Sequence, residues 1–288
     1  MNYPLNGKQK EDLFMKKLVP FILGAVALPA ALLSCAFDAE LPEETTEANA
    51  AAAESSSERA LLKTIATAPA MYDYICLNYG NPTGPISITK GTLKTFWSTK
   101  TMYLVALSGT EMKSGQATGI VNDLQAGFSI DGAYVNSVVS SIQSCIPAGS
   151  NIVFAGHSLG GMVAQQVSAN DTIKKKYTIL NTVTFGAPLI TFIWREGSVQ
   201  RLGDKSDIIP TLSISSLFTV TAVWNVAGLN REDGGYGINL LGAHKDSYAR
   251  TDVWGRWNAI GYKDSTGTIT LDLSTKRQCP APAGWNFF

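Results

Sequence analysis

The stretch 151–167 reads NIVFAGHSLGGMVAQQV, an apolar run that leads into GHSLG at 156–160 and continues at once in a helix-like pattern. Such a run is typical of a buried strand, so the sequence predicts a strand, a sharp turn and a helix. A turn of this kind strains the backbone at its tip and leaves room only for small neighbours, which Gly156 and Gly160 provide. We interpret the segment as a nucleophile elbow with Ser158 as the nucleophile. The alternative is a glycine-rich turn without chemistry.

A serine hydroxyl is a weak nucleophile at neutral pH, so Ser158 needs a histidine base and a carboxylate that orients it. The chain has two histidines. His157 lies inside the elbow, where adjacency directs its side chain away from the serine oxygen, and this leaves His244 as the base. In α/β-hydrolases the acid lies between serine and histidine along the chain. The candidates in that interval are Asp171, Glu196, Asp204, Asp207, Glu232 and Asp233. We favour Asp207, which follows a strand-like segment where this fold collects its site, with Asp204 as the alternative.

Acyl transfer also needs hydrogen-bond donors for the oxyanion of its tetrahedral intermediate. One donor is expected to be the N–H of Leu159, immediately after the nucleophile. The second must come from a loop at the end of a neighbouring strand. The β-prone run TMYLVAL at 101–107 leads into Ser108-Gly109-Thr110, and Thr110 offers both an N–H and a hydroxyl. A plain turn at the end of a strand is the alternative here.

Strand-like and helix-like segments alternate along the chain, with strands at 92–97, 101–107 and 178–185 and a helix from Asp131 to Cys145. This order predicts an α/β fold of the α/β-hydrolase class, with a mostly parallel central sheet flanked by helices in one catalytic domain, 60–288. The segment SISSLFTVTAVWNV at 213–226 fits either a strand or an amphipathic helix lining an acyl pocket. Five aromatic residues near the C-terminus suit either a lipid-facing patch or core packing: Trp254, Trp257, Trp285, Phe287 and Phe288.

The N-terminal region resembles a bacterial secretory signal. Two lysines after Met15 precede an uncharged apolar stretch that ends in Leu-Leu-Ser-Cys, a lipobox, at Cys35. We predict a signal peptide over 1–34, with Met15 as the true start because the acidic residues before it do not suit a signal, and acylation of Cys35. A transmembrane helix is the alternative, which two prolines within the stretch disfavour. Residues 35–59 are rich in Glu, Ala, Ser and Thr and are expected to form a disordered tether to the membrane surface, on the periplasmic face or at the cell surface.

The overall composition excludes some classes of partner. The 23 basic and 23 acidic residues cancel, so no field favours nucleic acid. No histidine or cysteine spacing indicates a metal site, and we expect no cofactor because the triad needs none. An exported domain permits one disulfide among Cys76, Cys145 and Cys279, but the sequence does not select the pair. It also leaves the oligomeric state open.

On these segments the chain resembles the class 3 (fungal-type) triacylglycerol lipase family. The matching stretches, in the family's order between about residues 90 and 250, are YLVALSGT, LQAGF with the helix around Tyr134, NIVFAGHSLGG, TVTFGAPL, SDIIPTL and AHKDSY. The resemblance implies an α/β-hydrolase with Ser158 as nucleophile, Asp207 as acid and His244 as base. It also implies that Thr110 and Leu159 line the oxyanion hole.

The chain departs from the family's pattern in two places. It has Leu107-Ser108-Gly109 where the family usually has Phe-Arg-Gly, so the arginine that supports the oxyanion loop is missing. The lid segment, EMKSGQATGIVN at 111–122, is short and mostly polar. Because interfacial activation needs a mobile apolar flap, we expect an open or weakly covered site without strong dependence on an interface.

These patterns together predict a serine carboxylic-ester hydrolase, a lipase or esterase acting on soluble esters, glycerides or phospholipids through an acyl-enzyme. A non-catalytic lipoprotein binding module on the same fold is the first alternative. A thioesterase or peptidase with the same triad is the second, because the fold does not select the leaving group. The acyl length and head group of the substrate stay open at this level.

Overall fold

A computed structural model of the chain describes residues 61–109, 132–190, 196–211 and 229–280. They lie in the larger of two compact units, Ala48–Phe288. Several sequence predictions concern residues outside these ranges. These are the signal peptide and tether (1–59), the oxyanion residue Thr110, the lid segment 111–122, the segment 213–226 and the aromatic residues Trp285, Phe287 and Phe288.

The described residues form nine strands and six α-helices. The strands are β1 (Leu62–Ile65), β2 (Ile86–Thr95), β3 (Thr99–Leu107), β4 (Asn151–His157), β5 (Thr178–Phe185), β6 (Ser198–Asp204), β7 (Leu229–Glu232), β8 (Gly267–Asp272) and β9 (Arg277–Cys279). The helices are α1 (Ala68–Cys76), α2 (132–145), α3 (Leu159–Ala169), α4 (Asp171–Lys176), α5 (Leu240–Lys245) and α6 (Thr251–Trp254). Single turns of 3₁₀ helix are found at Ile209–Thr211, Ser247–Ala249 and Leu273–Thr275.

Within the described ranges, all nine strands belong to one sheet; eight of them lie in the order β1-β8-β2-β3-β4-β5-β6-β7, and β9 pairs with β2 outside this order. The five strands β3 to β7 run parallel to one another. The predicted α/β-hydrolase fold with a parallel central sheet flanked by helices is therefore confirmed. The antiparallel edge of the sheet was not predicted from the sequence. There β8 pairs antiparallel with β1 and with 91–95 of β2, while β9 pairs antiparallel with 86–88 of β2.

The central strands are covered on both faces, which explains their continuous apolar sequences. Along β3 the side chains alternate between two cores. Leu104 packs with Val153 and Phe185 on one face of the sheet, whereas Val105 packs with Phe154 on the other. The first core also contains Trp254 and Trp257, so of the two uses considered for these aromatics the structure has core packing.

The parallel strands bring their carboxyl ends to one edge of the sheet, where open α/β sheets place their ligand sites. Strands β3, β4, β5 and β6 end there at Leu107, His157, Phe185 and Asp204. The loops that follow carry most of the residues singled out from the sequence. Among the described helices, none is long and apolar enough to cross a membrane.

Candidate active site

The turn between β4 and α3 has the geometry that its sequence predicts. Ser158 is the single residue between strand and helix, with φ 54° and ψ −125°, in the left-handed region that L-residues rarely adopt. Its N–H donates to the Phe185 carbonyl at 2.9 Å, which ties the turn to β5. A Cβ on Gly156 would lie 2.5 Å from the Gly160 carbonyl oxygen, and one on Gly160 would lie 2.3 Å from the Leu107 carbonyl oxygen. Only glycine fits at either position.

Three side chains from separate parts of the chain meet at this turn. The Ser158 Oγ lies 3.1 Å from His244 Nε2, and His244 Nδ1 lies 2.8 Å from Asp207 Oδ2. All three residues are at most 1% exposed. A carboxylate only accepts hydrogen bonds, so Nδ1 carries the imidazole proton and Nε2 is free to accept from the serine hydroxyl. This is the arrangement in which a histidine can activate a serine.

The acid and the base are held by the loops that follow β6 and by α5. Asp207 Oδ1 accepts from the Ile209 N–H at 3.0 Å, which fixes the carboxylate over the next turn of chain. His244 lies in the last turn of α5, whose first turn is capped by Asn239. Gly186, with φ +57°, passes beneath the pair: a Cβ there would lie 2.9 Å from both Asp207 Oδ2 and His244 Nδ1. The contact of the acid with the base therefore depends on a glycine that the sequence reasoning had not singled out.

Tyr248 is a further member of the site that sequence reasoning missed. Its hydroxyl donates to Asp207 Oδ2 at 2.7 Å and accepts from the Asp204 N–H at 3.2 Å. Burial, and next the charge of Asp207, raise the pKa of Tyr248 well above its usual value, so the hydroxyl stays a donor. The only signal was its place in the AHKDSY segment, four residues after His244.

The alternative acid, Asp204, is buried but bonded elsewhere. Its Oδ1 accepts from the Ser206 N–H at 2.8 Å, and its Oδ2 accepts from the Gly234 N–H at 2.9 Å and from the Ser247 hydroxyl. The indole N–H of Trp254 donates to the same serine at 3.2 Å. Asp204 therefore ties the end of β6 to the chain on either side of α5, and it supports the loop that carries the histidine.

The other candidate acids bond away from His244. Asp171 pairs with Lys174 on the surface, Asp233 pairs with Lys205, and Glu232 accepts from the Trp257 indole and from Lys263. Glu196 precedes β6, at the opposite end of that strand from the site.

The oxyanion loop after β3 reaches the nucleophile. A Cβ on Gly109 would lie 2.9 Å from Ser158 Cβ, so the loop packs directly against the elbow. The Tyr134 hydroxyl, from α2, donates to the Ser108 carbonyl at 3.0 Å. Leu159 is the first residue of α3, and the N–H of a first helical residue has no acceptor within its own helix. Thr110 lies outside the described residues.

Within the described ranges, no group of three or more His, Cys, Asp or Glu side chains is arranged to hold a metal ion. The cysteines Cys76, Cys145 and Cys279 are unpaired thiols, whereas the sequence permitted one disulfide among them. Burial raises the pKa of the Cys76 and Cys279 thiols to about 11. These two thiols are therefore protonated at neutral pH.

Comparison with known proteins gave one match. A family model described as Lipase (class 3) matches residues 91–215. The matched stretch contains the oxyanion loop, the elbow and Asp207, and it ends before His244. Neither the curated proteins nor the solved structures contained a match to the chain.

Proposed function

We propose that this chain, which matches the class 3 lipase family over residues 91–215, is a serine carboxylic-ester hydrolase in which Ser158, His244 and Asp207 form the catalytic triad. The family supports ester hydrolysis of the lipase or esterase type. The observation that carries the finer proposal is the unbroken hydrogen-bond chain from the Ser158 hydroxyl through the imidazole to the Asp207 carboxylate.

In the first half of the reaction His244 Nε2 takes the proton of the Ser158 hydroxyl while Oγ attacks the ester carbonyl carbon. The imidazolium that forms is stabilised by the carboxylate of Asp207, which is held in place by hydrogen bonds to both of its oxygens. The carbonyl oxygen becomes an oxyanion, which the N–H groups of Leu159 and Thr110 stabilise. Each donor of this kind typically contributes a factor of about 10²–10³ in rate.

In the second half the tetrahedral intermediate collapses. The ester C–O bond breaks, His244 gives its proton to the departing alcohol oxygen, and the acyl group stays on Ser158. Water then attacks the acyl carbon while His244 takes its proton. The bond between that carbon and Ser158 Oγ breaks, His244 returns the proton to Oγ, and the carboxylic acid leaves. The strained backbone of Ser158 keeps Oγ at the tip of the turn through both halves.

For the substrate we propose carboxylic esters with an uncharged or weakly charged acyl part, including glycerides and phospholipids. The balance of 23 basic and 23 acidic residues gives no reason to expect a strongly charged substrate. The short polar lid sequence supports activity on dissolved esters without an interface.

The direct test is hydrolysis of p-nitrophenyl esters from acetyl to palmitoyl by the wild-type chain and by its Ser158→Ala variant. Ser144→Ala is the matched control, because Ser144 lies on α2 and its hydroxyl donates to the Ser141 carbonyl. We expect activity that disappears with Ser158 and survives in the control. The preferred chain length then separates esterase from lipase. Equal inertness of wild type and variant on every ester would favour a binding module, and a preference for thioesters or peptides would favour the second alternative.

We also propose that the domain works at a membrane surface, held by an acylated Cys35. The support is the sequence alone: a lipobox follows an apolar stretch of signal-peptide length, and a polar segment separates it from the domain.

A further inference from the structure

A line of hydrogen bonds joins the backbone of the base to the oxyanion loop on the far side of the nucleophile. His157 Nε2 lies 3.0 Å from the His244 carbonyl oxygen. His157 Nδ1 lies 2.6 Å from the Tyr79 hydroxyl, and the Gly109 N–H donates to that hydroxyl at 2.9 Å. His157 is 3% exposed, so its ring is shielded from water.

The chemistry of the two ends assigns every proton in this line. A carbonyl oxygen only accepts, so Nε2 of His157 carries the proton and Nδ1 is an acceptor. The Tyr79 hydroxyl must therefore donate to Nδ1, and its oxygen accepts from the Gly109 N–H. Burial, and next the neighbouring His244, lower the pKa of His157 well below its usual value, so the ring stays neutral and this assignment holds.

Both side chains of the line, Tyr79 and His157, are held in place by the fold. The turn after α1 that carries Tyr79 is docked on the sheet by Asn78, whose amide donates to the Ala106 carbonyl at 3.0 Å and to the Ser87 hydroxyl at 3.1 Å. The ring of Tyr72, on α1, packs edge-on against His157 with 5.1 Å between ring centroids. Tyr79 and His157 therefore have little freedom to move.

We infer that Tyr79 and His157 are positioning residues that set the oxyanion loop relative to the base. This inference rests on the proposed function. Tyr79 holds the N–H of Gly109, the residue directly before Thr110, while His157 holds the backbone of His244. This chain has Ser108 where the family usually has an arginine. The loop is held instead by the Tyr79 hydroxyl, which accepts from the Gly109 N–H, and by the Tyr134 hydroxyl, which donates to the Ser108 carbonyl.

The packing of the loop makes this positioning consequential. Gly109 already lies so close to the elbow that a Cβ would come within 2.9 Å of Ser158 Cβ and 3.0 Å of the Tyr79 hydroxyl. Loss of the Tyr79 hydroxyl leaves the Gly109 N–H without that acceptor, and the loop shifts. Misplacement of a catalytic group by about 1 Å can reduce the rate about 10²-fold.

The test compares Tyr79→Phe and His157→Gln with the wild-type chain on a soluble p-nitrophenyl ester. We expect kcat to fall roughly 10- to 100-fold in each variant, while KM changes little, because the oxyanion forms only in the transition state. Affinity for an alkyl boronic acid, whose tetrahedral serine adduct presents an oxygen to the oxyanion hole, should fall by a similar factor. Because the line works as one unit, the double variant should lose little more than either single variant.

Tyr74→Phe is the matched control. Tyr74 lies on α1, directly before the turn that carries Tyr79, and it is buried. The variant loses an equivalent hydroxyl bond, to Thr89 at 2.8 Å, that does not reach the site. It should keep the wild-type kcat and boronate affinity. A wild-type kcat in Tyr79→Phe would overturn the inference. So would a decrease of kcat in the double variant equal to the product of the decreases in the two single variants.

A measurement without turnover completes the test. The chain has two histidines, so ¹⁵N NMR of the imidazoles is simple to assign with His157→Gln. We expect the Nε2–H tautomer for His157 in the wild-type protein; the Nδ1–H tautomer would refute the line of bonds even if Tyr79→Phe failed to fold. Hydrolysis that persists in Ser158→Ala would instead refute the proposed function, so the two failures are distinguishable.

Discussion

At the scale of single residues, two aspartates three positions apart have separate tasks. Asp207 and Asp204 belong to one turn, since the Asp207 N–H donates to the Asp204 carbonyl at 3.1 Å. The carboxylate of Asp207 bonds to the imidazole of His244, whereas that of Asp204 is bonded by backbone N–H groups and the Ser247 hydroxyl. The same type of side chain is therefore a proposed catalytic acid at position 207 and a structural anchor at position 204.

Asparagine substitution separates these tasks. In Asp207→Asn an amide replaces the carboxylate that orients and stabilises the imidazolium, so we expect kcat on a p-nitrophenyl ester to fall roughly 10³- to 10⁴-fold. In Asp204→Asn the side-chain NH₂ would face groups that themselves donate hydrogen bonds to Asp204 in the wild type. We therefore expect the free energy of unfolding to fall by roughly 1.5–3 kcal/mol, with a smaller change in kcat. Steady-state kinetics and urea unfolding of both variants check this. An Asp204→Asn enzyme that is stable but slow would reverse the assignment.

The buried neutral state of His157 predicts a dependence of stability on pH. The unfolded chain binds a proton at this residue below about pH 6.5, whereas the folded protein does not, because its pKa is lowered by burial. The free energy of unfolding should therefore fall as the pH drops below 6.5, by up to about 1.4 kcal/mol per pH unit from this group. Urea unfolding between pH 7.5 and 5.5 measures the slope. His157→Gln should show a shallower slope, and an unchanged slope would contradict the prediction.

At the scale of elements, the site depends on how closely β4, α3 and the loop after β3 approach one another. The helix can begin directly after Ser158 because Gly160 lets its first turn pass against the carbonyls of Leu107 and Ser108. The same approach brings the first N–H groups of α3, which carry the positive end of the helix dipole, to the nucleophile. The same packing of the elements therefore also supports the proposed stabilisation of the oxyanion.

Alanine scanning of helical glycines tests this packing. In Gly160→Ala the added methyl would meet backbone oxygens at 2.3 and 2.6 Å, so we expect a loss of roughly 1–3 kcal/mol of stability and of most activity. Gly132→Ala, on α2, is the control: its methyl meets nothing within 4 Å and should leave stability unchanged or raise it by about 0.5–1 kcal/mol. Thermal and urea unfolding compare the two. Equal stability of both variants would show that the approach of the elements is looser than described.

At the scale of the whole molecule, the sheet is completed by segments from both ends of the described chain. Strand β1 and the late strands β8 and β9 form the antiparallel edge on β2, far along the sequence from the parallel core that they extend. The proposed triad lies at the carboxyl edge of the parallel strands, within a single domain. The proposed anchor at Cys35 would therefore set where the domain works and leave the proposed activity to the domain itself.

Substitution of the proposed acylated cysteine separates location from activity. When the chain is expressed in a bacterial host that processes lipoproteins, Cys35→Ser should leave the membrane fraction or remain as unprocessed precursor, because it has no thiol to acylate. Its specific activity on a soluble ester should match the wild type. Cys145 is a free thiol within the domain, and the control variant Cys145→Ser should stay with the membrane. Acyl labelling of both variants and of the wild type checks the chemistry; membrane-embedded, unlabelled wild-type protein would favour the transmembrane alternative.

The sequence by itself determined the features that local physics imposes. Apolar runs bounded by turns predicted the central strands, the crowding of a sharp turn required glycines around Ser158, and a chain with two histidines left one candidate base. Only the tertiary structure decided which aspartate meets His244, because Asp204 ends β6, Asp207 lies three residues beyond it, and the turn between them sets the direction of each side chain. The roles of Tyr79, Gly186 and Tyr248, like the antiparallel edge, depend on contacts between residues far apart in the chain, for which no local periodicity exists.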